Sequence, residues 1–585
     1  MDAEERRGSF FILLLGFMAF FLLPPGTRLP EGPHGPGLAA DRRDNDTKTA
    51  AASETTPEVP DSCEGNLRRV VNEYFGEVKP QTFRAQNTRP SILIATVPDP
   101  LDSGHDYYFD RTVESIQAAA GLGGNLLRDR SWLPWNDVRA RNVAEARDAR
   151  ECRRTHPGVI FYRPEKSRQQ ADGLAVLLVG ETPTWGIHPR ALKRALEFFE
   201  EHGPPPPPDR ALLNVSIAGP TYSGTAYSLR RSLDEWQRGL HTKLGSVRII
   251  TGSATNESLG DILGSKKEPS ITFQTLIVPD NYLSQAFYDF LVEDLKIEFK
   301  TTRNAKGKSV RKLEQVALLH EGMTLYGNIA AIGAQSGRLY PYEVCDDLVE
   351  YEPQLVLSFP PNLSALRTAR AASIEAETMD SRARLPAPGL HATLRTERIA
   401  RDVEQNLSFD MIVASDRALS NVLDVIAREQ IKYVGIVATK DKDIIFLAHQ
   451  IRNTYPDVRL FTLGSEIAFT HPDYATDLNG MLVASTYPFF GASRYGRTPA
   501  GMVFSGDMAE GPYNAVLALL NLAQPSFAEI RPFTDDRRIL PVWISVVSNG
   551  RLWPLVARGH HLDELPGAVP VAKYRTQERA YDRLE

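Results

Sequence analysis

The amino-acid sequence predicts an α/β protein in which two doubly wound parallel-sheet lobes follow an N-terminal membrane helix. Three observations lead to this prediction. The chain of 585 residues is too long for a single hydrophobic core. Short, nearly continuous runs of Val, Ile and Leu recur along it, and most of them precede an amphipathic stretch. An apolar segment close to the first residue has the composition of an export signal or a membrane anchor.

The apolar segment consists of fourteen consecutive apolar or Gly residues from Phe10 to Leu23, behind Arg6 and Arg7. At 1.5 Å per residue such a helix spans about 21 Å, which favours the hydrophobic region of a cleaved signal peptide over a spanning helix. Large side chains run up to Pro24 without a small-x-small cleavage pattern, which favours an uncleaved anchor. A third alternative is an apolar terminus that packs on its own protein.

The charge distribution around this segment predicts its orientation, with the N-terminus inside. We expect a short cytoplasmic N-terminus at 1–8, a transmembrane or signal-anchor segment at 9–26, and a disordered tether and lead-in at 27–88 rich in Pro, Gly, Ser and Thr. The protein is then a single-pass protein of the cell membrane, and the bulk of its chain is extracytoplasmic (periplasmic).

Composition narrows the functional classes. The net charge of -6 offers no basic surface for nucleic acid, so no nucleic-acid partner is expected. Cys63, Cys152 and Cys345 have no zinc-type spacing, and they are read as isolated thiols or at most one disulfide.

The folded part is predicted at 89–585, with lobe 1 mainly at 89–275, lobe 2 mainly at 276–500 and a C-terminal hairpin at 540–557 around Asn549-Gly550. Ten apolar runs are too many strands for one small sheet. The predicted strands are 91–97, 174–180, 212–219, 246–251, 314–320, 353–359, 410–415, 433–439, 458–463 and 479–485.

Helices are predicted between several of these strands. The stretch "HPRALKRALEFFEEHG" places Leu192, Leu196 and Phe199 on one face, and "GTAYSLRRSLDEWQRGL" spaces Tyr227, Leu229, Leu233 and Trp236 at helical intervals. The charged residues 366–408 are read as a partly helical surface excursion.

The loop after the first predicted strand concentrates Asp99, Asp102, His105, Asp106 and Asp110. The spacing breaks the calcium-loop pattern, whereas Asp106 or Asp110 can favour the start of the next helix. We therefore favour a structural turn, with a ligand-contacting loop and a metal site as alternatives. The first of these alternatives has some weight because α/β proteins bind ligands at the carboxyl ends of strands.

Catalytic signatures fail when they are tested. A zinc protease helix would need a second His at the position of Thr324, and "GLGGN" has Leu126 where a dinucleotide turn needs Gly or Ala. Ser223 lacks the context of a nucleophile elbow. We therefore predict no catalytic residues, no metal and no cofactor, and a hydrolase or transferase is the weakest of three functional hypotheses.

Two strand-to-helix loops, "IAGPTYSGTAYSLRRSL" and "IITGSATNESL", are rich in small hydroxyl residues. Free backbone N–H groups and hydroxyls at a helix N-terminus can receive a carboxylate or another anion. The alternative is that these residues only cap helices.

These loops belong to a longer resemblance. The runs "NVSIAGPTYSGTAYSLRRSL", "VRIITGSATN", "SITFQTLIVPDNYLSQAFYDFLVEDL" and "QVALLHEGMTLYG" occur in the order seen in the type I periplasmic-binding-protein family, which includes branched-chain amino-acid binding proteins and receptor ligand-binding domains. The segments "YVGIVATKDKDIIFLAHQIRNTYPDVRLFTLGS" and "DLNGMLVASTYPF" resemble the second lobe of that family. The resemblance covers about 89–500.

The resemblance implies the residues that contact a ligand in the cleft between the lobes. These are Tyr222, Ser223, Gly224, Ser253, Ala254, Thr255, Glu321, Tyr326, Thr439 and Asp441. The chain departs from the family in its membrane-type start, in the excursion at 366–408 and in Gln274, which stands where many members have Arg.

The leading hypothesis is therefore a membrane-anchored ligand-binding or sensor protein that holds a small polar, amino-acid-like molecule, with a partner membrane protein or a homodimer as further partners. The alternative is a binding-protein fold without a ligand that serves as a protein-interaction scaffold.

Overall fold

A computed structural model shows two mostly parallel sheets, each covered by helices. The structure describes residues 63–77, 91–102, 106–124, 126–135, 150–164, 173–202, 212–239, 243–255, 259–264, 270–303, 309–322, 351–360, 363, 366–367, 409–487, 504–520 and 542–558. The predicted segments 1–8 and 9–26 lie outside these residues, as does almost all of 366–408. Within the described ranges, no helix combines the length and the apolar composition needed to cross a membrane.

The strands are β1 (Ser91–Pro98), β2 (Leu126–Trp132), β3 (Gly158–Pro164), β4 (Leu174–Thr182), β5 (Gly186–Ile187), β6 (Leu212–Ala218), β7 (Lys243–Thr251), β8 (Ser270–Thr275), β9 (Phe299–Arg303), β10 (Ser309–Leu313), β11 (Val316–Glu321), β12 (Tyr351–Glu352), β13 (Leu355–Phe359), β14 (Tyr433–Val437), β15 (Arg459–Leu463), β16 (Leu482–Ser485), β17 (Val542–Ser548) and β18 (Arg551–Arg558). The helices are α1 (Cys63–Glu77), α2 (Asp106–Gly124), α3 (Pro189–His202), α4 (Thr225–Gly239), α5 (Leu259–Leu263), α6 (Asp280–Glu293), α7 (Phe409–Arg428), α8 (Asp441–Thr454), α9 (Ala475–Leu478) and α10 (Asp507–Leu520).

The first sheet has the order β2-β3-β4-β1-β6-β7-β8, with β5 paired to β4. Its strands from β4 through β8 in this order run parallel, and β2 and β3 add an antiparallel edge. Residues along β4 are all buried, as expected for a strand covered on both faces. We call this sheet and its helices lobe 1.

The second sheet has the order β13-β11-β14-β15-β16-β17-β18. The strands are parallel from β13 to β16, and β17 and β18 form an antiparallel pair at the edge. The turn between them has positive φ at Asn549 and Gly550, as the sequence indicates for a tight hairpin. We call this sheet and its helices lobe 2; a three-stranded sheet of β9, β10 and β12 accompanies it.

Helices cover both faces of the lobe 1 sheet. On one face, α1, α3 and α4 supply buried side chains such as Leu192 and Leu229. On the other face, Ile116 of α2 packs with Tyr513 and Val516 of α10. Helix α10 therefore belongs to lobe 1 by packing, although β16 of lobe 2 precedes it and β17 of lobe 2 follows it.

Lobe 2 is covered in the same way. Helices α7 and α8 bury Leu419 and Leu447 on one face of the sheet, and α6 stacks Phe287 on Phe461 of β15 at a ring-centroid distance of 4.4 Å on the other. The disulfide Cys63–Cys152 ties α1, which lies in the predicted lead-in, to lobe 1. Cys345 lies outside the described residues.

Two expectations from the sequence are wrong. The apolar run 410–415 is not a strand, because it forms the first part of α7, whose stripe of buried residues continues through Leu419 and Ile426. Tyr227 does not belong to the buried stripe of α4, because its side chain is 62% exposed. Strands β2, β3, β5, β8, β9, β10 and β12 are absent from the sequence-based set.

Candidate functional site

A cavity lies between the two lobes, where the carboxyl ends of strands from both sheets face each other. It contains about 930 Å³ of empty space, including some open solvent. Its lining comprises Tyr108, Pro183, Thr221, Tyr222, Ser223, Gly224, Ser253, Thr255, Ile277, Asp280, Leu283, Ala438, Thr439, Asp441, Ile444, Leu463, Gly464, Ser465, Glu466, Asp507 and Met508. A cleft lined by two lobes is a usual place for a small-molecule site.

The lobe 1 side of the cavity is formed by the two hydroxyl-rich loops that follow β6 and β7. Their backbone N–H groups are largely used within the protein. Thr251 Oγ1 accepts from the backbone N–H of Ser253 at 3.2 Å and of Ala254 at 3.0 Å. Ser223 Oγ accepts from the N–H of Thr255 at 3.2 Å. These three amides, which the sequence suggested as anion receptors, stabilise the loops themselves.

The chain passes from lobe 1 to lobe 2 through Asp280, the first residue of α6. Its Oδ2 accepts from Thr255 Oγ1 at 2.5 Å, which joins the second hydroxyl loop to the crossing segment. The side chain is 3% exposed. Burial, together with the negative charge of Asp507, raises the pKa of Asp280 to about 7.

Asp507, the first residue of α10, lies where the chain passes back from lobe 2 to lobe 1. Its carboxyl accepts from Ser465 Oγ at 2.8 Å and from the backbone N–H groups of Thr486 and Tyr487 at 3.2 Å each. Burial raises its pKa to about 7, despite these hydrogen bonds. A carboxyl group is favoured at a helix N-terminus, so Asp507 has a structural role independent of any ligand.

Two adjacent tyrosines of α2 bridge the cleft to lobe 2. Tyr108 donates to Asp441 Oδ2 at 2.5 Å, and Tyr107 donates to Glu466 Oε1 at 3.0 Å. Burial raises the pKa of Asp441 to about 6, and burial and the charge of Asp441 raise that of Glu466 well above its usual range. The lobes are therefore in direct contact through two phenol–carboxyl pairs.

Glu321, at the end of β11, does not line the cavity but binds Thr439, which does. Its Oε2 accepts from the backbone N–H of Thr439 at 3.0 Å and from Thr439 Oγ1 at 2.5 Å. Burial raises the pKa of Glu321, although these hydrogen bonds oppose the effect. Glu321 thus fixes the loop that carries Thr439 and Asp441.

The structure brings most of the residues implied by the resemblance to this one cavity. Its lining includes Tyr222, Ser223, Gly224, Ser253, Thr255, Thr439 and Asp441. Ala254 is buried beside them without lining the cavity, and Glu321 reaches it only through Thr439. Tyr326 lies outside the described residues.

The acidic loop after β1 forms the turn that the sequence favours. Asp99 Oδ1 accepts from the backbone N–H groups of Leu101 and Asp102, and His188 Nε2 lies 2.9 Å from Asp99 Oδ2. Burial alone would raise the pKa of Asp99, but these hydrogen bonds outweigh it and lower the pKa to about 2. His105 lies outside the described residues.

Asp99, Asp102 and His188 are the group of potential metal ligands found within the described ranges, and their ligand atoms lie within 4.8 Å of one another. Asp102 forms ion pairs with Arg153 and Arg154 at 3.3 and 2.7 Å. Two guanidinium groups beside the cluster oppose a second cation, so we propose no metal here.

Among the lining residues that sequence reasoning missed, four carry ionisable side chains: Tyr108, Asp280, Glu466 and Asp507. Tyr108 follows the carboxyl end of the first strand, where α/β proteins bind ligands. A ligand-contacting loop was one alternative for this segment, so its position was a signal that could have identified Tyr108. Glu466 and Asp507 come from segments that are distant in sequence, and no local pattern joins them to the hydroxyl loops.

Comparison with known proteins gives solved structures only. No protein-family model matches the chain, and no curated protein matches it. An ABC transporter substrate-binding protein from Desulfitobacterium hafniense in complex with Leu is 12% identical, covering 80% of this chain and 99% of its own, with a TM-score of 0.36. A solute binding protein of an ABC transporter from R. palustris, in complex with benzoate, is 7% identical, covering 82% and 97%, with a TM-score of 0.39.

A leucine-, isoleucine-, valine-, threonine- and alanine-binding protein from Brucella ovis, in a closed conformation, is 11% identical, covering 80% of this chain and 95% of its own, with a TM-score of 0.39. These structures are type I periplasmic binding proteins, the family that the sequence resembles. At such identities and TM-scores, nothing about the ligand of this chain follows from them.

Proposed function

We propose that this chain is a ligand-binding protein that holds a small polar molecule in the cavity between its lobes. One observation carries the proposal: residues of two lobe 1 loops, Ser223 and Thr255 among them, line the same cavity as Thr439 and Asp441 of lobe 2. A molecule in this cavity would contact both lobes, so its binding would favour the closed arrangement. The mixture of hydroxyl, carboxyl and apolar lining residues suits a small molecule with both polar and apolar parts.

The test is a thermal-shift screen of the purified full-length protein against amino acids, nucleosides, small carboxylates and small amines. A compound that binds the native state alone raises the unfolding midpoint with concentration. The rise should be lost in the variants Ser223→Ala and Thr255→Val, and it should persist in Thr301→Val, the same change on the exposed strand β9. If no compound stabilises the protein, ligand binding in the cavity is wrong.

We also propose that residues 9–26 anchor the protein and that the lobes, at 89–275 and 276–500, lie outside the cytoplasm as part of a sensor. The apolar run from Phe10 to Leu23 supports the anchor. The Cys63–Cys152 disulfide supports an oxidising compartment. Protease added to intact spheroplasts should remove the folded part from the membrane fraction, and full protection would contradict this orientation. A partner membrane protein and a homodimer stay predictions from the sequence.

A scaffold role is the second candidate, and exposed aromatic side chains favour it. Trp185 is 84% exposed and Tyr227 is 62% exposed. The segments that carry them are in contact, because the backbone N–H of Ile187 donates to Ser228 Oγ at 3.0 Å. Aromatic residues are enriched in protein interfaces. Partner proteins captured equally by the wild type and by Asp441→Asn, but lost with Trp185→Ala, would favour this role.

A further inference from the structure

The cavity that carries the proposed function has an unusual charge composition. Four carboxyl side chains line it, from Asp280, Asp441, Glu466 and Asp507, and no Lys, Arg or His of the described residues does. In the second hydroxyl loop, three N–H groups donate within the protein and are not free to receive an anion. A ligand that brings a carboxylate would lie among four acidic side chains, with no basic side chain of the described residues to pair with it.

A second observation points to a missing donor. Among the described residues, Asp280 accepts a hydrogen bond through Oδ2 only, and Glu466 accepts through Oε1 only. Both side chains are 3% exposed and line the cavity. The other two oxygens, Asp280 Oδ1 and Glu466 Oε2, receive no donor from the described residues, and a ligand in the cavity can supply one. The position of Asp280 at the start of α6 explains why an acid is tolerated there, but not why Oδ1 lacks a donor.

The four acids form two pairs. Asp441 and Glu466 lie together on lobe 2, where neighbouring tyrosines bind them and the charge of one acts on the other. Asp280 and Asp507 are the first residues of α6 and α10. The negative charge of Asp507 helps to raise the pKa of Asp280. Apolar side chains line the same cavity, namely Ile277, Leu283, Ile444 and Leu463.

From this arrangement we infer that the ligand is an aliphatic diamine, with one ammonium group at each carboxyl pair and its methylene chain against the apolar side chains. The inference rests on the proposed function, because it names the ligand class of the same cavity. Primary ammonium groups carry three N–H donors each and no acceptor, which matches carboxyl oxygens without donors. A zwitterionic amino acid satisfies one pair only and places its carboxylate among the remaining acids.

The experiment is calorimetric titration of the purified full-length protein with diaminoalkanes of three to six carbons, 1-aminobutane, 4-aminobutanoate, L-leucine and butanedioate. We expect at least one diamine to bind about 10-fold or more tightly than 1-aminobutane and 4-aminobutanoate. Asp280→Asn and Asp441→Asn should each reduce the affinity for that diamine to about the level of the monoamine. The amides keep an acceptor oxygen for Thr255 and Tyr108, so the fold is expected to persist.

Glu235→Gln, a carboxyl on the exposed face of α4, is the matched control and should bind like the wild type. Tighter binding of L-leucine, 4-aminobutanoate or butanedioate than of every diamine would overturn the ligand class and leave the proposed function standing. If neither these probes nor the compounds of the wider screen bind, both proposals are wrong. The comparison of ligands on the wild type decides the matter even if a variant fails to fold.

Discussion

Gly252, just after β7, and Gly511, in α10, lie backbone against backbone. A Cβ on Gly252 would stand 1.9 Å from the carbonyl carbon of Gly511, and a Cβ on Gly511 would stand 1.8 Å from the carbonyl oxygen of Gly252. Neither neighbour is a flexible side chain that could move away. This contact sets α10 directly against the end of a lobe 1 strand, beside the loop that supplies Ser253 and Thr255 to the cavity.

Gly511→Ala is therefore expected to destabilise the protein. Displacing packed backbone should lower the free energy of unfolding by about 3 kcal/mol or more, at the upper end of overpacking effects. Urea unfolding of the full-length protein measures this change. Gly260→Ala, at an exposed position of α5 with no atom within 4 Å of the added Cβ, is the control and should be neutral or slightly stabilising. Equal effects at both positions would contradict the close packing.

Tyr108→Phe removes one of the two phenol–carboxyl contacts between the lobes. It deprives Asp441 of its donor, which should cost about 1 to 3 kcal/mol of stability. The lobes should also separate more often, so small-angle scattering should give a larger radius of gyration. Tyr227→Phe, an exposed tyrosine of α4, should change neither quantity. An unchanged radius and midpoint for Tyr108→Phe would show that this contact does not hold the cleft closed.

The pKa of Asp280 predicts a pH dependence of stability. Its pKa is raised from 3.8 to about 7, so the folded state binds this proton more tightly than the unfolded chain does. Protonated Asp280 stabilises the folded state relative to ionised Asp280 by about 4 kcal/mol at most. This stabilisation is fully present below pH 4 and is lost as the pH rises through about 7. Asp280→Asn, which imitates the protonated form, should be more stable than the wild type at pH 8 and nearly equal to it at pH 4.

Denaturant midpoints between pH 4 and pH 8 measure this difference. Asp424→Asn, at an exposed position of α7, is the matched control and should follow the wild-type profile. A variant of Asp280 with the same slope as the wild type would mean that another group carries the dependence.

Reduction of the Cys63–Cys152 disulfide should destabilise lobe 1. The bridge joins residues 89 positions apart, and releasing a loop of this size costs about 4 to 5 kcal/mol in the chain-entropy description. The wild type should lose thermal stability in reductant, and the double variant Cys63→Ser with Cys152→Ser should be insensitive to reductant. Cys345→Ser should retain the sensitivity of the wild type. If Cys345→Ser abolishes the sensitivity instead, the pairing is wrong.

Much of the fold is predictable from local patterns, because buried parallel strands need continuous apolar residues. The runs that become β1, β4 and β14 are of this kind, and the stripe of Leu192 and Leu196 predicts α3. The hairpin follows from the turn chemistry of Asn549-Gly550. The run 410–415 shows the limit of such patterns: Ile412 and Val413 suit a strand locally, but they begin a helix whose packing is decided later in the chain.

The site was predictable in part, for a related reason. Loops at neighbouring strand ends meet because parallel strands end at the same edge, so Ser223 and Thr255 could be placed together from the sequence. The roles of Glu466 and Asp507 could not be predicted, because they depend on how one lobe meets the other. The use of the loop amides by Thr251 depends on side-chain geometry, which no spacing pattern reveals.

Helix α10 completes the hydrophobic covering of the first sheet from a position about 230 residues after the end of β8. During translation, the apolar face that includes Leu93, Val97 and Ile250 therefore stays uncovered until nearly the whole polypeptide has been synthesised. A nascent chain released before residue 504 should bind chaperones or aggregate, whereas one released after residue 520 should not.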